Sequence, residues 1–174
     1  MSGVCSHQHI VLVGMMGAGK SSVGRVLAQR LEREVHDSDH MIEARDGRTV
    51  RQIWSEEGEA AFRALETTVL AEALAAPEPS VIAAAGGVVL SEQNRAVLDS
   101  GDAHVVWLLA DVDVLVERVK NGMHRPLLDD DPEGVLRQMY QDREALYRSV
   151  ADAIVSVDNR TVNDVAGAVL RCAG

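Results

Sequence analysis

The chain has 174 residues, of which 47% are hydrophobic and 25% charged, and this balance is typical of a globular protein and excludes a disordered one. The length favours a single domain, 1–174, whose core needs no metal or disulfide to fold. The formal net charge of −10 argues against a nucleic-acid partner and against an anionic membrane, and at first sight against an anionic substrate.

The predicted elements alternate along the chain, with short apolar runs between longer segments of helical period. Strands are predicted at 9–13, in a short run that ends at 37, and at 80–84, 104–109 and 153–157. Helices are predicted at 21–33, 41–44, from 49, 59–76, 91–101, from 111, 132–150 and from 163. The alternation predicts a three-layer α/β/α fold around a five-stranded parallel sheet.

Cysteine and histidine usage bears on location and metal binding. Cys5 and Cys172 form no Cys-x-x-Cys pair, and the sequence contains no membrane-length apolar run or secretory pattern, so we expect a cytoplasmic protein. The histidines have no zinc-type spacing with the cysteines, and we expect solvated surface positions for them. No exposed apolar stripe is evident, so a monomer is expected.

The strongest motif runs from Gly14 to Ser21 and matches the phosphate-binding loop G-x-x-x-x-G-K-[ST] in full, with an apolar strand before it and a helix after it. Its glycines allow consecutive backbone N–H groups to turn toward one anion, while Lys20 supplies positive charge and Ser21 a hydroxyl for Mg²⁺. A glycine-rich turn with a chance lysine is the alternative, although only two of the 17 basic residues are lysines. The motif predicts a bound nucleoside triphosphate and leaves the phosphoryl acceptor open.

Asp37 and Asp39 follow a short predicted strand. On an extended segment, carboxylates two residues apart point the same way, here toward the ligand crevice at the carboxyl edge of a parallel sheet. One would orient Mg²⁺ through water, and the other would accept the proton of an attacking hydroxyl. A helix N-cap with a neighbouring surface acid explains the same pattern.

Three further motifs allow a functional and a plain structural interpretation. Arg63 and Glu66 have the spacing of a helix ion pair, or of an arginine held ready for bidentate binding of a substrate carboxylate. Gly86 and Gly87 end a buried strand, either in a tight turn or where backbone approaches a ligand. Arg125, in the loop-like stretch 121–131, is either a surface residue or part of a lid over the transferring phosphate.

Taken in this order, the motifs resemble those of the shikimate kinase family, a group of P-loop kinases related to the nucleoside-monophosphate kinases. The resemblance covers nearly the whole chain and rests on GMMGAGKSS, DSD, Gly58-Glu59…Phe62-Arg63…Glu66, the double glycine, HRPLL and Asp142-Arg143…Leu146-Tyr147. It implies ATP-dependent phosphorylation of the 3-hydroxyl of shikimate to shikimate 3-phosphate, in aromatic amino acid biosynthesis, with Mg²⁺ as cofactor.

The resemblance also implies a role for individual residues. The catalytic residues would be Asp39 as base, Lys20 and Arg125. The ATP-binding residues would be Gly14, Gly17, Ala18, Gly19, Lys20, Ser21, Ser22, Arg118, Arg125 and Arg160. The shikimate-binding residues would be Asp39, Arg63, Gly86, Gly87 and Arg143. Ser21 and, through water, Asp37 would hold Mg²⁺. The substrate would bind a helical segment at about 37–66, under a lid at about 121–131.

The chain departs from the family pattern where a triple glycine reads Ala85-Gly86-Gly87. Alanine would strain this loop if the position required a positive φ. If the family's glycine serves packing alone, the effect of alanine would be small. Two alternatives therefore stay open: a related kinase that phosphorylates gluconate or a cyclitol, and a nucleotide-binding paralogue without transfer activity.

Overall fold

The computed structural model describes residues 7–121 and 131–174. Its strands are β1 (His9–Val13), β2 (Val35–Asp37), β3 (Val81–Ala83), β4 (Ala103–Leu109) and β5 (Ala153–Ser156). Its α-helices are α1 (Lys20–Leu31), α2 (Ser38–Asp46), α3 (Val50–Leu74), α4 (Glu92–Leu98), α5 (Val112–Lys120), α6 (Pro132–Val150) and α7 (Val162–Cys172). A 3₁₀ turn at Val88–Leu90, absent from the sequence prediction, follows β3.

The five strands form one parallel sheet in the order β2-β3-β1-β4-β5, as the alternating pattern predicts. All five residues of β1 are buried, because this central strand is covered on both faces. Its buried neighbours β3 and β4 explain why the apolar runs of the sequence are continuous and not alternating.

Helices cover both faces of the sheet, which gives the predicted three layers. Gly24 of α1 lies against Leu12 and Ala83, which are register partners and share one face. Trp107 is the partner of Val13, the next residue along β1, so its side chain points to the other face, where the ring stacks on Tyr147 of α6. The α/β/α prediction is confirmed.

Several helix starts lie where capping chemistry predicts them. Thr49 forms a capping box with Gln52, Ser91 caps α4 and Asp111 caps α5. Pro132 stands in the first turn of α6, as its position at the start of the apolar period indicates. The predicted end of α4 at 101 is wrong, since that helix ends at Leu98.

The third helix differs from the sequence prediction of two separate helices. It is assigned as one run, but Gly58 interrupts it with φ 83° and ψ −175°, a conformation that only glycine adopts readily. The two predicted helices therefore meet at a single residue, and no loop separates them. Arg48, in the turn before α3, is ion-paired with Asp46, Glu56 and Glu57, which ties the first half of α3 to the end of α2.

The N-terminal histidines do not both have the expected exposure. His7 is exposed, but His9 is buried, and its Nδ1 lies 2.9 Å from Ser80 Oγ and accepts a hydrogen bond from Ser80 N at 3.1 Å. The surface prediction is wrong for His9 because this residue begins the central strand. No helix within 7–121 or 131–174 is long and apolar enough to cross a membrane.

Candidate active site

The carboxyl ends of three neighbouring strands bring the candidate residues together. The chain leaves β1 into the phosphate-loop motif, leaves β2 into α2 at Asp37, and leaves β3 into Ala84–Gly87. In parallel sheets these ends share one edge, where ligand crevices form.

The phosphate loop contains glycine where its backbone demands glycine. Gly14 has φ 144°, and a Cβ there would lie 2.7 Å from the carbonyl oxygen of Leu108. Gly19 has φ 93° and forms the left-handed N-cap of α1. These two positions let the loop turn into the N-terminus of α1, the end of a helix that favours anions.

Lys20 folds back across this loop. Its Nζ donates hydrogen bonds to the carbonyl oxygens of Gly14 and Met15, at 2.7 and 2.9 Å. The ammonium group therefore lies at the loop, beside a cavity of about 220 Å³. The cavity is lined by Met16, Gly17, Gly19, Lys20, Ser21, Ser22, Asp37, Asp39 and 83–86.

The prediction that Asp37 and Asp39 share an extended segment is wrong. Asp37 ends β2 and is the N-cap of α2, where its side chain accepts a hydrogen bond from Asp39 N, and Asp39 lies in the first helical turn. The capping interpretation thus describes the backbone. Both carboxylates nevertheless line the phosphate-loop cavity and the larger cavity beside it.

The donor set at the phosphate loop fits Mg²⁺. The hydroxyl of Ser21 donates a hydrogen bond to the Asp37 carboxylate, so the two oxygen ligands lie side by side. No cluster of three or more acidic, histidine or cysteine side chains able to bind a metal occurs in the described part of the chain. Two oxygen donors, completed by nucleotide phosphates and water, are the usual protein contribution to a magnesium–nucleotide site.

A second cavity, of about 530 Å³, opens directly from the first. It is lined by Met16, Ser21, Ser22, Arg25, Asp37, Asp39, His40, Glu43, Val50, Arg51, Trp54, Phe62, Arg63, Glu66, Ala85, Gly86, Gly87 and Arg143. Every residue that the sequence predicts for shikimate binding is in this set. Four arginines give the cavity the cationic groups that an anionic ligand requires.

Arg63 is held by two glutamates. Its Nη1 donates to both carboxylate oxygens of Glu66, at 3.0 and 3.2 Å, and its Nε and Nη2 donate to Glu59 at 3.3 Å. The guanidinium also lies over the rings of Trp54 and Phe62, with its Cζ 5.7 and 5.3 Å from their centroids. The predicted ion pair with Glu66 is confirmed.

Glu66 is the buried member of this group, with a side chain only 1% exposed. Burial raises its pKa to about 7, against the opposing effect of the Arg63 charge, and the nearby Asp39 carboxylate raises it further. The carboxyl that supports Arg63 therefore titrates near neutrality.

Arg143 lies behind the double glycine and is itself buried. Tyr147, one helical turn further along α6, donates a hydrogen bond from its hydroxyl to the Gly86 carbonyl. Burial raises the pKa of the Tyr147 hydroxyl to about 12, so it remains a hydrogen-bond donor at physiological pH. This contact fixes the turn that borders the cavity.

In the turn at 85–87, Gly87 is the position where a side chain is limited by space, and backbone freedom is not the reason for glycine there. A Cβ on Gly87 would lie 1.9 Å from Arg63 Nη1, and one on Gly86 would lie 3.4 Å from Met16 N. In the described ranges, Glu32 and Asn159 are the only non-glycine residues with positive φ, so Ala85 has an ordinary backbone. The strain that the sequence allows at Ala85 is absent.

The predicted nucleotide-side residues lie beyond the phosphate loop. Arg118 is exposed on α5 and donates from Nη1 to the Gly17 carbonyl at 2.9 Å. Arg160 is exposed in the turn between β5 and α7. Arg125 lies outside the described residues, as does the predicted lid except for its ends, Asn121 and Asp131.

Sequence reasoning missed two contacts that shape the site. Glu59 stands four residues before Arg63, so the helix spacing that revealed Glu66 also points to it. The bond from Tyr147 to Gly86 joins residues 61 positions apart, and no local pattern could have revealed it.

Comparison with known proteins agrees with this geometry. A family profile described as "Shikimate kinase" matches residues 16–173. A shikimate kinase from Chromohalobacter salexigens is 45% identical over 163 residues, which are 93% of this chain and 89% of that protein.

Solved structures give the same result. A shikimate kinase from Acinetobacter baumannii in complex with shikimate aligns with a TM-score of 0.89 and 39% identity, covering 94% of this chain and 91% of that one. A gluconokinase from Sinorhizobium meliloti aligns with a TM-score of 0.62 and 19% identity, over 97% and 92% of the two chains, a likeness in fold alone. The sequence profile, the relatives and the site geometry agree: the chain belongs to the shikimate kinase family.

Proposed function

We propose that the chain transfers the γ-phosphoryl group of ATP to the 3-hydroxyl of shikimate, giving shikimate 3-phosphate and ADP. The observation that carries this proposal is the junction of the two cavities, one at the phosphate loop and one rich in arginine. Asp39 lines both cavities, so it borders the place where a donor phosphate and an acceptor hydroxyl would meet.

At the nucleotide end, the phosphate-loop residues predicted above would bind the triphosphate, and Lys20 would move from its loop carbonyls onto the β- and γ-phosphates. Arg118 and Arg160 would lie on the adenine side, and Arg125 would act from the lid. Ser21 directly and Asp37 through water would hold Mg²⁺, which neutralises charge on the phosphates when bound.

At the acceptor end, Arg63 and Arg143 would bind the shikimate carboxylate, and the backbone at Gly86 and Gly87 would contact its ring. These two guanidinium groups are the ones that border the double-glycine turn, with Gly86 between Arg143 and the phosphate loop. With its carboxylate bound there, shikimate would be held in one orientation, which would position its 3-hydroxyl for the reaction.

The chemistry then requires positioning and one proton transfer. Asp39 would accept the proton of the attacking hydroxyl, and Lys20 and Arg125 would stabilise the charge on the transferring phosphoryl group. No covalent intermediate on the protein is needed, since the hydroxyl attacks the γ-phosphorus in line with the leaving ADP.

We further propose a single domain acting as a monomer in the cytoplasm, with shikimate bound by the segment 37–66. The exposed large apolar side chains among the described residues, Val35, Leu90, Ile154 and Val162, are at most 42% exposed, and ATP is a cytoplasmic substrate. Neither gluconate nor a cyclitol is favoured as acceptor, because the gluconokinase resemblance is confined to the fold. The ordinary backbone at Ala85 removes the reason to expect an inactive paralogue.

An acceptor panel tests this proposal. ADP release is measured with shikimate, gluconate, a cyclitol and no acceptor, at saturating ATP and Mg²⁺. Rapid release is expected with shikimate alone. A higher kcat/KM with gluconate or a cyclitol would replace the proposed acceptor, and ATP binding without turnover on any acceptor would contradict the kinase assignment.

Arg63→Lys tests the grip on the carboxylate. Lysine keeps the charge but cannot form a two-point bond, so the KM for shikimate should rise by ten-fold or more, on the order of one charge-assisted hydrogen bond. Arg45→Lys is the control, because Arg45 pairs with Glu72 and does not line the cavity. An unchanged KM in Arg63→Lys would leave Arg63 as a plain helix ion pair.

A further inference from the structure

Every nitrogen of the Arg63 guanidinium makes a hydrogen bond to a carboxylate of the protein. Nη1 bonds both oxygens of Glu66, while the edge formed by Nε and Nη2 bonds a single oxygen of Glu59. A carboxylate bound in the bidentate manner needs two parallel N–H groups on one edge of the fork. A substrate carboxylate that uses the Nε–Nη2 edge therefore has to displace Glu59.

The two glutamates differ in how firmly they are held. The side chain of Glu66 is 1% exposed, and its two carboxylate oxygens lie 3.0 and 3.2 Å from Arg63 Nη1. Because it is buried, it cannot turn into solvent. Glu59 is 58% exposed, and both of its bonds to Arg63 are 3.3 Å long. Charge-assisted bonds of good geometry are shorter, at roughly 2.7–2.9 Å, so the Glu59 contact is the weaker one.

The other contacts of Arg63 hold its guanidinium in place, so that a ligand exchanges with Glu59 and not with Arg63 itself. Both Nη atoms and the Cζ of Arg63 lie over Gly87, with Nη1 the nearest, and the rings of Trp54 and Phe62 flank the guanidinium. These contacts keep the group in place while its Nε–Nη2 edge changes partner. Glu59 can turn into solvent without creating a buried, unpaired charge.

Resting on the proposed function, we infer that Glu59 is a placeholder for the substrate carboxylate on the Nε–Nη2 edge of Arg63. In the free enzyme it occupies the edge and keeps the fork oriented. On binding, the substrate carboxylate takes that edge, and Glu59 moves to solvent. Glu59 is thus a specificity-determining residue, because it competes with carboxylate ligands and leaves ligands without a charge at that position unaffected.

Calorimetric titration of three proteins with two ligands tests this inference. The proteins are the wild type, Glu59→Gln, and Glu72→Gln as matched control, since Glu72 is on the same helix, is 50% exposed and pairs with Arg45. The ligands are shikimate and its methyl ester, which lacks the negative charge. Glu59→Gln should bind shikimate about two- to five-fold more tightly, the range that one exposed ion pair supplies, with no change for the ester or for Glu72→Gln.

The opposite results are equally clear. Unchanged or weaker shikimate binding by Glu59→Gln would mean that Glu59 supports Arg63 and does not compete, and this would overturn the inference. Equal tightening in Glu72→Gln, or with the ester, would show a general charge effect and would also overturn it. Failure of the wild type to bind shikimate would refute the proposed function itself, and the inference with it.

Discussion

Asp39 lines both the phosphate-loop cavity and the arginine-lined cavity and lies in the first turn of α2. Its neighbour Asp37 is committed to capping α2 and to the Ser21 hydroxyl. Asp39 is therefore the residue that we propose as the base for the acceptor hydroxyl.

Asp39→Asn keeps the shape and removes the base. We expect kcat to fall by roughly 10²–10⁴, the contribution of a general base, while the Kd for ATP stays unchanged. Steady-state rates and a nucleotide titration measure the two quantities. Activity within a few-fold of wild type would exclude Asp39 as the base.

Glu66 links the site to pH. Its pKa is raised from an ordinary 4.5 to about 7 in the folded state. The folded protein therefore binds this proton more tightly than the unfolded chain does, and protonation of Glu66 stabilises the fold. That stabilisation is complete below pH 4.5 and is lost as the pH rises through 7, because the unfolded chain releases the proton first.

Glu66→Gln removes this titration. The free energy of unfolding of the wild type, relative to the variant, should fall by about 2 kcal/mol between pH 5 and pH 8. Denaturant titrations of both proteins across this range measure it. A difference that does not vary with pH would mean that Glu66 is ionised throughout.

In the turn at 85–87, position 85 should tolerate either glycine or alanine, whereas position 87 should not tolerate alanine. Ala85→Gly should change the KM for shikimate by less than about two-fold and lower stability by less than about 1 kcal/mol, since only unfolded-state entropy changes. Gly87→Ala should raise that KM by ten-fold or more, on the order of one charge-assisted hydrogen bond, because its Cβ would displace the Arg63 guanidinium. A gain of ten-fold in kcat/KM for Ala85→Gly would show instead that Ala85 impairs the site.

For single residues, local spacing in the sequence predicts the motifs of the site but not how those residues are buried and packed. The phosphate loop and the Arg63–Glu66 pair follow from short motifs. The burial that raises the Glu66 pKa depends on packing between distant segments, and so does the space over Gly87 that Arg63 fills. Neither can be obtained from a single helix.

At the scale of the element, α3 is organised by the break at Gly58. A small separate core joins α2 to both halves of α3, with Ile42 from α2, Ile53 from before the break, and Phe62 and Val69 from after it. The second half carries Arg63 and Glu66 toward the sheet. The sequence correctly places structure on both sides of Gly58, but periodicity cannot show that the two halves join without a loop.

Gly58→Ala should destabilise the fold by about 1–3 kcal/mol, because the residue would have to occupy a region that only glycine adopts readily. Gly47→Ala is the matched control, with φ 85° and ψ −3°, where the left-handed conformation costs about 1 kcal/mol. No heavy atom lies within 4 Å of a Cβ at either site, so both losses report backbone alone. Equal losses would indicate that α3 straightens at position 58 at little cost.

The capped helices were the most predictable elements, since Thr49, Ser91 and Asp111 each act within three residues of their own position. The boundary of α2 was not predictable in the same way. Asp37 serves both as the end of β2 and as the cap, so strand and helix share one residue.

At the scale of the whole molecule, the net charge of −10 does not oppose anionic substrates. Surface charges are screened beyond roughly 8 Å at physiological salt, so the local arrangement decides. Four arginines line the larger cavity, and Lys20 lies at the phosphate loop. The high share of arginine among the basic residues therefore indicates an anion-binding site better than the net charge does.

The parallel sheet follows from the alternation of elements, but its strand order does not. Placing β3 between β1 and β2 makes the carboxyl ends of these three strands neighbours, and the two cavities beside them share lining residues. This order depends on contacts between segments far apart in sequence.

The central claim is that the two cavities together direct one phosphoryl group to one hydroxyl. Phosphorus–proton correlation NMR of the reaction with ATP, Mg²⁺ and shikimate tests it most directly. We expect one new phosphate monoester, coupled to the proton at carbon 3 and formed in equal amount with ADP. Phosphorylation of another hydroxyl, or ADP formed with free phosphate and unmodified shikimate, would contradict it.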